Sequence, residues 1–215
     1  MRKMVVFDMD NALLQGRFID ICAKKYNFKQ ALDLLRNIDK NSISFTKRVA
    51  SFLQGKTIQE LTKIADDIPL TNDIEEVARK LKERGYVIGI ITDGYQVIAN
   101  RVGNTIGADW CLSYELDHMG GVATGQVHIP AIFCYSEKSS CDHPVCKTNA
   151  LRHLCEKYGV LMQNTIVIGG SENDLCMMRH AGLGVAFCTS SEILANVARK
   201  NITQPLFREL LEVAL

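Results

Sequence analysis

The chain is 215 residues long (24.0 kDa), 47% hydrophobic and 23% charged, with mean hydropathy +0.01, a balance that suits one sizeable core or a main domain carrying a small insertion. Lys and Arg (25) match Asp and Glu (24) to a net charge of +1, so no broad field draws the chain to nucleic acid or an anionic membrane, while small charged ligands remain open. No apolar run approaches the ~18 residues of a membrane span and the opening residues lack the pattern of an export leader, so the expectation is a cytoplasmic protein whose eight cysteines are reduced thiols.

The first apolar run, residues 4–7, reads as a buried strand and stops at two aspartates one residue apart, in FDMDNALL (residues 7–14). Crowding two carboxylates where a buried strand ends makes ionising both costly, so the pair calls for a proton, a cation or a basic neighbour. Residues 15–70 then read as consecutive helices (IDICAKKY, ALDLLRNI, FTKRVASFLQG, IQELTKIADDI) with no strand among them. That is too long for a simple crossover and reads as a helical insertion, a lid candidate placed directly behind the aspartates.

Beyond residue 70 the pattern alternates: helix 74–84, strand 87–91, helix 95–106, an irregular region 115–146, helix 148–158, strand 165–168, helix 175–180, strand 183–187 and helix 191–200. Such alternation predicts an α/β fold, a parallel sheet with helices on both faces. Within the irregular region, the central glycines of ELDHMGGVATGQVHI predict a hairpin. Cys22, Cys155, Cys176 and Cys188 lie in apolar stretches and read as core filler. His118, His128, His153 and His180 show no ligand spacing.

In an open parallel sheet, ligands bind beyond the carboxyl ends of the strands. There the sequence places Asp8 and Asp10, then Thr92, Asp93 and Gly94, then GGSEND (residues 169–174), while Lys147 opens the helix before the third strand. Carboxylates, hydroxyl and backbone donors, a lysine and a place for magnesium are what phosphoryl transfer needs.

In order and content these motifs resemble the haloacid dehalogenase superfamily, and within it the phosphoserine-phosphatase-like group. FDMDNALL is similar to its aspartate pair, ITDG to its Ser/Thr loop, Lys147 to its lysine and IGGSENDL to its acidic loop. The resemblance implies a Rossmann-like core of residues 1–14 and 71–215 with a helical cap of residues 15–70 inserted after the first strand. It also implies that Asp8 attacks phosphorus to form an aspartyl-phosphate, and that Asp10 protonates the leaving alcohol and later activates water. Thr92, Asp93, Gly94 and Lys147 would bind phosphate, with Asn173 in support. Mg2+ would be held by Asp8, Asp10, Asp174 and Glu172, completed by waters.

Three departures from that pattern stand out. Ala12 replaces the threonine usual two residues past the second aspartate, and Gly170 stands where an aspartate normally supports the metal, which predicts weaker metal affinity. Arg17 occupies the position of a glutamate that typically meets the substrate amine, and arginine repels an ammonium. Arg48 matches the family arginine that pairs with the substrate carboxylate, a task its planar fork suits. The expected activity is a magnesium-dependent phosphomonoester hydrolase for a small anionic phosphorylated metabolite, phosphoserine-like or otherwise, with no nucleic-acid or membrane partner. The alternative is a weak or inactive relative that binds a phosphorylated ligand or a protein partner.

Separately, CYSEKSSCDHPVC offers Cys134, Cys141, His143 and Cys146, a ligand set that zinc favours. The spacing is not a paired CxxC pattern, and unpartnered loop thiols are the other reading.

Overall fold

A computed structural model describes residues 2–39 and 41–214. Seven strands form one sheet in the order β4-β3-β2-β1-β5-β6-β7. They are β1 (Lys3–Phe7), β2 (Tyr86–Tyr95), β3 (Trp110–Met119), β4 (Val122–His128), β5 (Thr165–Gly169), β6 (Leu183–Phe187) and β7 (Lys200–Ile202). All neighbours pair in parallel except β3 and β4, the predicted hairpin. Its turn is Gly120-Gly121, both at positive φ (58° and 81°), which matches the twist of the flanking strands.

Strand β1 lies at the centre and is buried on both faces, which is why it reads as a continuous apolar run rather than an alternating one. Val5 and Phe7 point into one core, with α5 (Ile74–Glu83), α6 (Gln96–Ile106) and Phe207. Met4 and Val6 point into the other, with α7 (Lys147–Tyr158), α8 (Leu175–His180) and α9 (Glu192–Val197). Helices therefore cover both faces, as the alternation predicts.

Between β1 and α5 the chain folds as four helices, α1 (Phe18–Lys25), α2 (Lys29–Ile38), α3 (Ser42–Ser51) and α4 (Ile58–Asp66). The hairpin holds this segment through backbone bonds: Gly55 N–H donates to the Ala123 carbonyl (2.9 Å), Ala123 N–H to Lys56 (2.8 Å) and Ile58 N–H to Gly121 (2.8 Å).

Three elements differ from expectation. Strand β2 runs on through Thr92, Asp93 and Gly94 to Tyr95, with its pairing to β3 interrupted between Ile91 and Tyr95, so those residues sit on an irregularity rather than in a loop. The first half of β3, from Trp110, lies unread in the sequence ahead of the hairpin. Asp109 makes the register there: its N–H donates to the Ile88 carbonyl (2.7 Å) and its carboxylate accepts from Ile88 N–H (2.7 Å). The helix expected over 191–200 stops at Val197, and Lys200 begins the edge strand β7. Among the described residues no helix is long and apolar enough to cross a membrane.

Candidate active site

Asp8 follows the last residue of β1, and its N–H donates to the Ile168 carbonyl of β5 (2.8 Å), which fixes it at the joint carboxyl ends of two central strands. Lys147, the first residue of α7, donates from Nζ to Asp8 Oδ1 (2.8 Å) and to Asp174 Oδ1 (2.8 Å). All three side chains are buried, at 4% exposure or less. Asp174 is held in turn by Ser171, whose N–H (3.1 Å) and hydroxyl (3.2 Å) donate to its Oδ2.

Two buried carboxylates share one ammonium, and the Asp10 carboxyl lies beside them. Burial first, and then the neighbouring Asp174 charge, push Asp8 up to about 8 against the pull of Lys147. Burial likewise raises Asp10 to about 6, partly offset by the Phe18 N–H that donates to its Oδ1 (3.0 Å) from the start of α1. Burial opposes the charge on Lys147, yet Asp174 and Asp8 hold its pKa well above the ordinary lysine value. The site therefore crowds more carboxyl groups than its lysine can neutralise, so that Asp8 keeps a proton which a bound cation would displace.

The residues between the aspartates and α1 explain themselves locally. Asn11 takes a left-handed conformation (φ 57°), which asparagine tolerates better than most residues. Ala12 is buried and brings no hydroxyl, but Thr71 donates from Oγ1 to the Ala12 carbonyl (2.7 Å) and from N–H to Leu13 (2.9 Å). Thr71 thus braces the loop from outside, a role the sequence does not advertise, because it lies 59 residues away.

Thr92 is fully buried, and its Oγ1 accepts from Gly94 N–H (3.2 Å). Asp93 reaches across to accept from Asn173 Nδ2 (2.7 Å), joining the second strand end to the acidic loop. Glu172 is exposed and accepts from the Ser191 hydroxyl (3.0 Å). Around Gly169 and Gly170 the backbone is packed tightly: a Cβ on Gly169 would meet the Asp174 carboxylate at 2.3 Å, and one on Gly170 would meet the Phe187 carbonyl at 2.8 Å.

A cavity of about 750 Å³ opens over these groups and beneath α1–α3. Asp8, Asp10, Asp93, Gly94, Lys147 and Asn173 lie on its wall, whereas Thr92 and Asp174 sit behind it. Arg17 lines it too. Arg48 does not: it is 59% exposed and pairs with Asp39 (Nε to Oδ2, 3.7 Å). The arginine on the wall from the helical segment is instead Arg36, whose Nη1 donates to Asp20 Oδ1 (2.7 Å). Nothing in the sequence sets Arg36 apart, since it sits on an ordinary amphipathic helix.

The cysteine loop is also rearranged relative to expectation. Cys141, His143 and Cys146 do converge, but the fourth member of the cluster is Cys176 of α8, all four ligand atoms lying within 4.8 Å of one another. Cys134 is not part of it, and its thiol faces the Pro130 carbonyl (3.9 Å). Cys176 is therefore not core filler, and Cys188 is exposed. Cys22 and Cys155 are buried as read.

Comparison with known proteins agrees with this architecture. A family model described as haloacid dehalogenase-like hydrolase matches residues 2–182. The phosphoserine phosphatase of Methanocaldococcus jannaschii is 28% identical over 98% of this chain and 97% of that protein. That of Archaeoglobus fulgidus is 28% identical over 94% of this chain, which spans only 57% of the relative's length. Among solved structures, phosphoserine phosphatase in its apo form and a phospho-aspartyl intermediate analogue of phosphoserine phosphatase each superpose with a TM-score of 0.83, at 25% identity over 99% of this chain and 98% of theirs. The chain belongs to the haloacid dehalogenase-like hydrolase family and, within it, to the phosphoserine-phosphatase-like group.

Proposed function

We infer that the chain is a phosphomonoester hydrolase working through an aspartyl-phosphate on Asp8. The observation that carries this reading is the ammonium of Lys147 shared at 2.8 Å between Asp8 and Asp174 at the strand ends, with Asp10 and a cavity directly beside it. Under this reading residues 1–14 and 71–215 form the catalytic core, and residues 15–70 the cap that roofs the cavity.

Magnesium fits the donor set, which is all oxygen and crowds more carboxyl groups than one lysine neutralises. Asp8, Asp174 and the Asp10 backbone carbonyl would hold it, with Glu172 close by on the cavity wall. When bound, the ion neutralises phosphate charge as the phosphoryl group transfers.

Lys147 engages Asp8 Oδ1, which leaves Oδ2, in the ionised form that Lys147 and a bound cation would favour, to attack phosphorus. An ammonium has three donors, of which Asp8 and Asp174 take two; the third suits a phosphate oxygen. The backbone N–H of Asp93 would complete that cradle, while Gly94 N–H donates to Thr92 Oγ1 and so shapes the loop from behind, and Asn173 tethers Asp93. Asp10, raised to about 6 by burial, keeps a larger protonated fraction near neutral pH than an ordinary aspartate, and that protonated form gives its proton to the leaving alcohol. It then takes a proton from the water that cleaves the aspartyl-phosphate, releasing phosphate and restoring Asp8. Phe18 and Phe45, contributed by α1 and α3, keep bulk water off the reacting groups.

The substrate fits as a small anionic phosphomonoester. Arg17 and Arg36 line the cavity, Arg36 while also paired with Asp20, and Arg17 favours a carboxylate or second anionic group over an ammonium. Phosphate release from a panel of phosphomonoesters is expected to require magnesium and to favour acidic over amine-bearing substrates. Release that is unaffected by a chelator, or that prefers cationic substrates, would overturn the corresponding part of the reading.

A second reading, a relative that binds phosphorylated ligands without turning them over, draws on Gly170. The loop offers no carboxylate there, and a Cβ would press on the Phe187 carbonyl. Gly170→Asp is therefore expected to tighten magnesium binding, read as a lower half-saturating concentration, at a stability cost of about 1–3 kcal/mol from overpacking. A silent wild type whose turnover appears only in Gly170→Asp would favour the second reading.

A further inference from the structure

We propose that Cys141, His143, Cys146 and Cys176 form a tetrahedral zinc site that fastens the cysteine loop to the start of α8. The four ligand atoms come from three places in the fold and lie within 4.8 Å of one another. His143 Nδ1 and Cys176 Sγ are 3.4 Å apart. A tetrahedron with zinc–sulfur bonds of about 2.3 Å and zinc–nitrogen bonds of about 2.0 Å has ligand–ligand edges of about 3.5–3.8 Å, so the cluster needs only a small contraction.

Thiols are weak hydrogen-bonding groups, and gathering three of them around an imidazole, at a site that is buried at Cys146 and opens to solvent at His143, gains little unless a soft or borderline cation joins them. The cysteines of the chain are free, so no disulfide accounts for the grouping. Four protein ligands also close the coordination shell, which marks a structural rather than a catalytic ion.

The loop is prepared for such a role at its neck. Cys134 and Val145 bridge as antiparallel strand residues, Tyr135 N–H donates to the Pro144 carbonyl (2.9 Å), and Cys146 N–H donates to Phe133 (2.8 Å). Asn149 Nδ2 ties the Cys134 carbonyl to α7 (3.0 Å). Cys134 therefore serves through its backbone while its sulfur faces Pro130, and Cys176 supplies the fourth sulfur instead.

Position gives the site its consequence. Cys146 immediately precedes Lys147, and Cys176 follows Asp174 by two residues. A shared ion would hold the backbone of α7 and α8 in the register that brings Lys147 onto Asp174. This inference stands on the cluster alone and does not depend on the catalytic reading.

The test is metal analysis of protein purified without chelator, together with the absorption spectrum after cobalt is loaded in place of zinc. About one zinc per chain and a tetrahedral thiolate–cobalt spectrum are expected for the wild type and for Cys134→Ser. Cys176→Ser, and Cys141→Ser as a second variant on the loop should the first fail to fold, are expected to hold less than about a tenth of that zinc. Zinc retained in both of these variants, zinc lost in Cys134→Ser, a wild type that takes up neither metal, or a Cys141–Cys146 disulfide found by mass spectrometry would each overturn the proposal. None of these readouts uses phosphate release, so failure here and failure of the catalytic reading are separately visible.

Discussion

Asp8→Asn is expected to abolish phosphate release, by on the order of 10⁴-fold or more, while leaving the metal-free chain as stable as the wild type or more so. An amide cannot act as the nucleophile, but its oxygen can still accept from Lys147, and the change leaves that ammonium paired one to one with Asp174. The pH dependence follows from the direction of the Asp8 shift. Its folded pKa of about 8 lies above the ordinary aspartate value of 3.8, so between these values the folded state holds a proton that the unfolded state has released. Stability from this group is then greatest at low pH and is lost as pH rises through that window. Thermal denaturation in chelator should therefore show Asp8→Asn gaining on the wild type at pH 8 and little difference at pH 5. Magnesium at pH 8 should close the gap by stabilising the wild type alone. Substantial activity in the variant, or a lower melting temperature at pH 8, would contradict the placement of Asp8 as a buried, strained nucleophile.

Most of the site's parts are visible in the sequence because each follows a short apolar run, and a run that ends in charged residues marks where a buried strand meets ligand. Asp8, Asp93 and the 169–174 loop are all found this way. What the sequence does not disclose depends on contacts between distant segments. Thr71 bracing Ala12 is one case, and Arg36 reaching the cavity wall where Arg48 was expected is another. Cys176 is a third: in LCMMRH it looks like one more small apolar residue, and only the packing of α8 beside α7 turns it toward Cys146. Helical periodicity says which face of α8 is buried but not what it meets there. The first half of β3 was hidden for a related reason, since its register is set by Asp109, a residue that strand propensity argues against.

Lys147→Met should be the most damaging single change to the fold as well as to catalysis. The substitution keeps length and apolar volume but removes the one ammonium that the buried carboxylates of Asp8 and Asp174 share. Taking one partner from a buried ion pair costs about 3–5 kcal/mol, which for a chain of this size lowers the melting temperature by roughly 6–20 °C. Lys147 is also what pulls the Asp8 pKa down, so its loss moves that pKa further up. The sign then follows: folding takes up protons over a wider range, and the deficit is largest at pH 8 and shrinks toward pH 5, where protons take over the neutralising role. If shared charge is the cause, adding Asp8→Asn to Lys147→Met should restore much of the lost stability without restoring turnover. Such strong non-additivity is what two groups in direct contact produce. Equal destabilisation at both pH values, or a double variant that merely sums the two single changes, would mean that Lys147 acts through packing and that the charge balance at the strand ends is not what holds this site together.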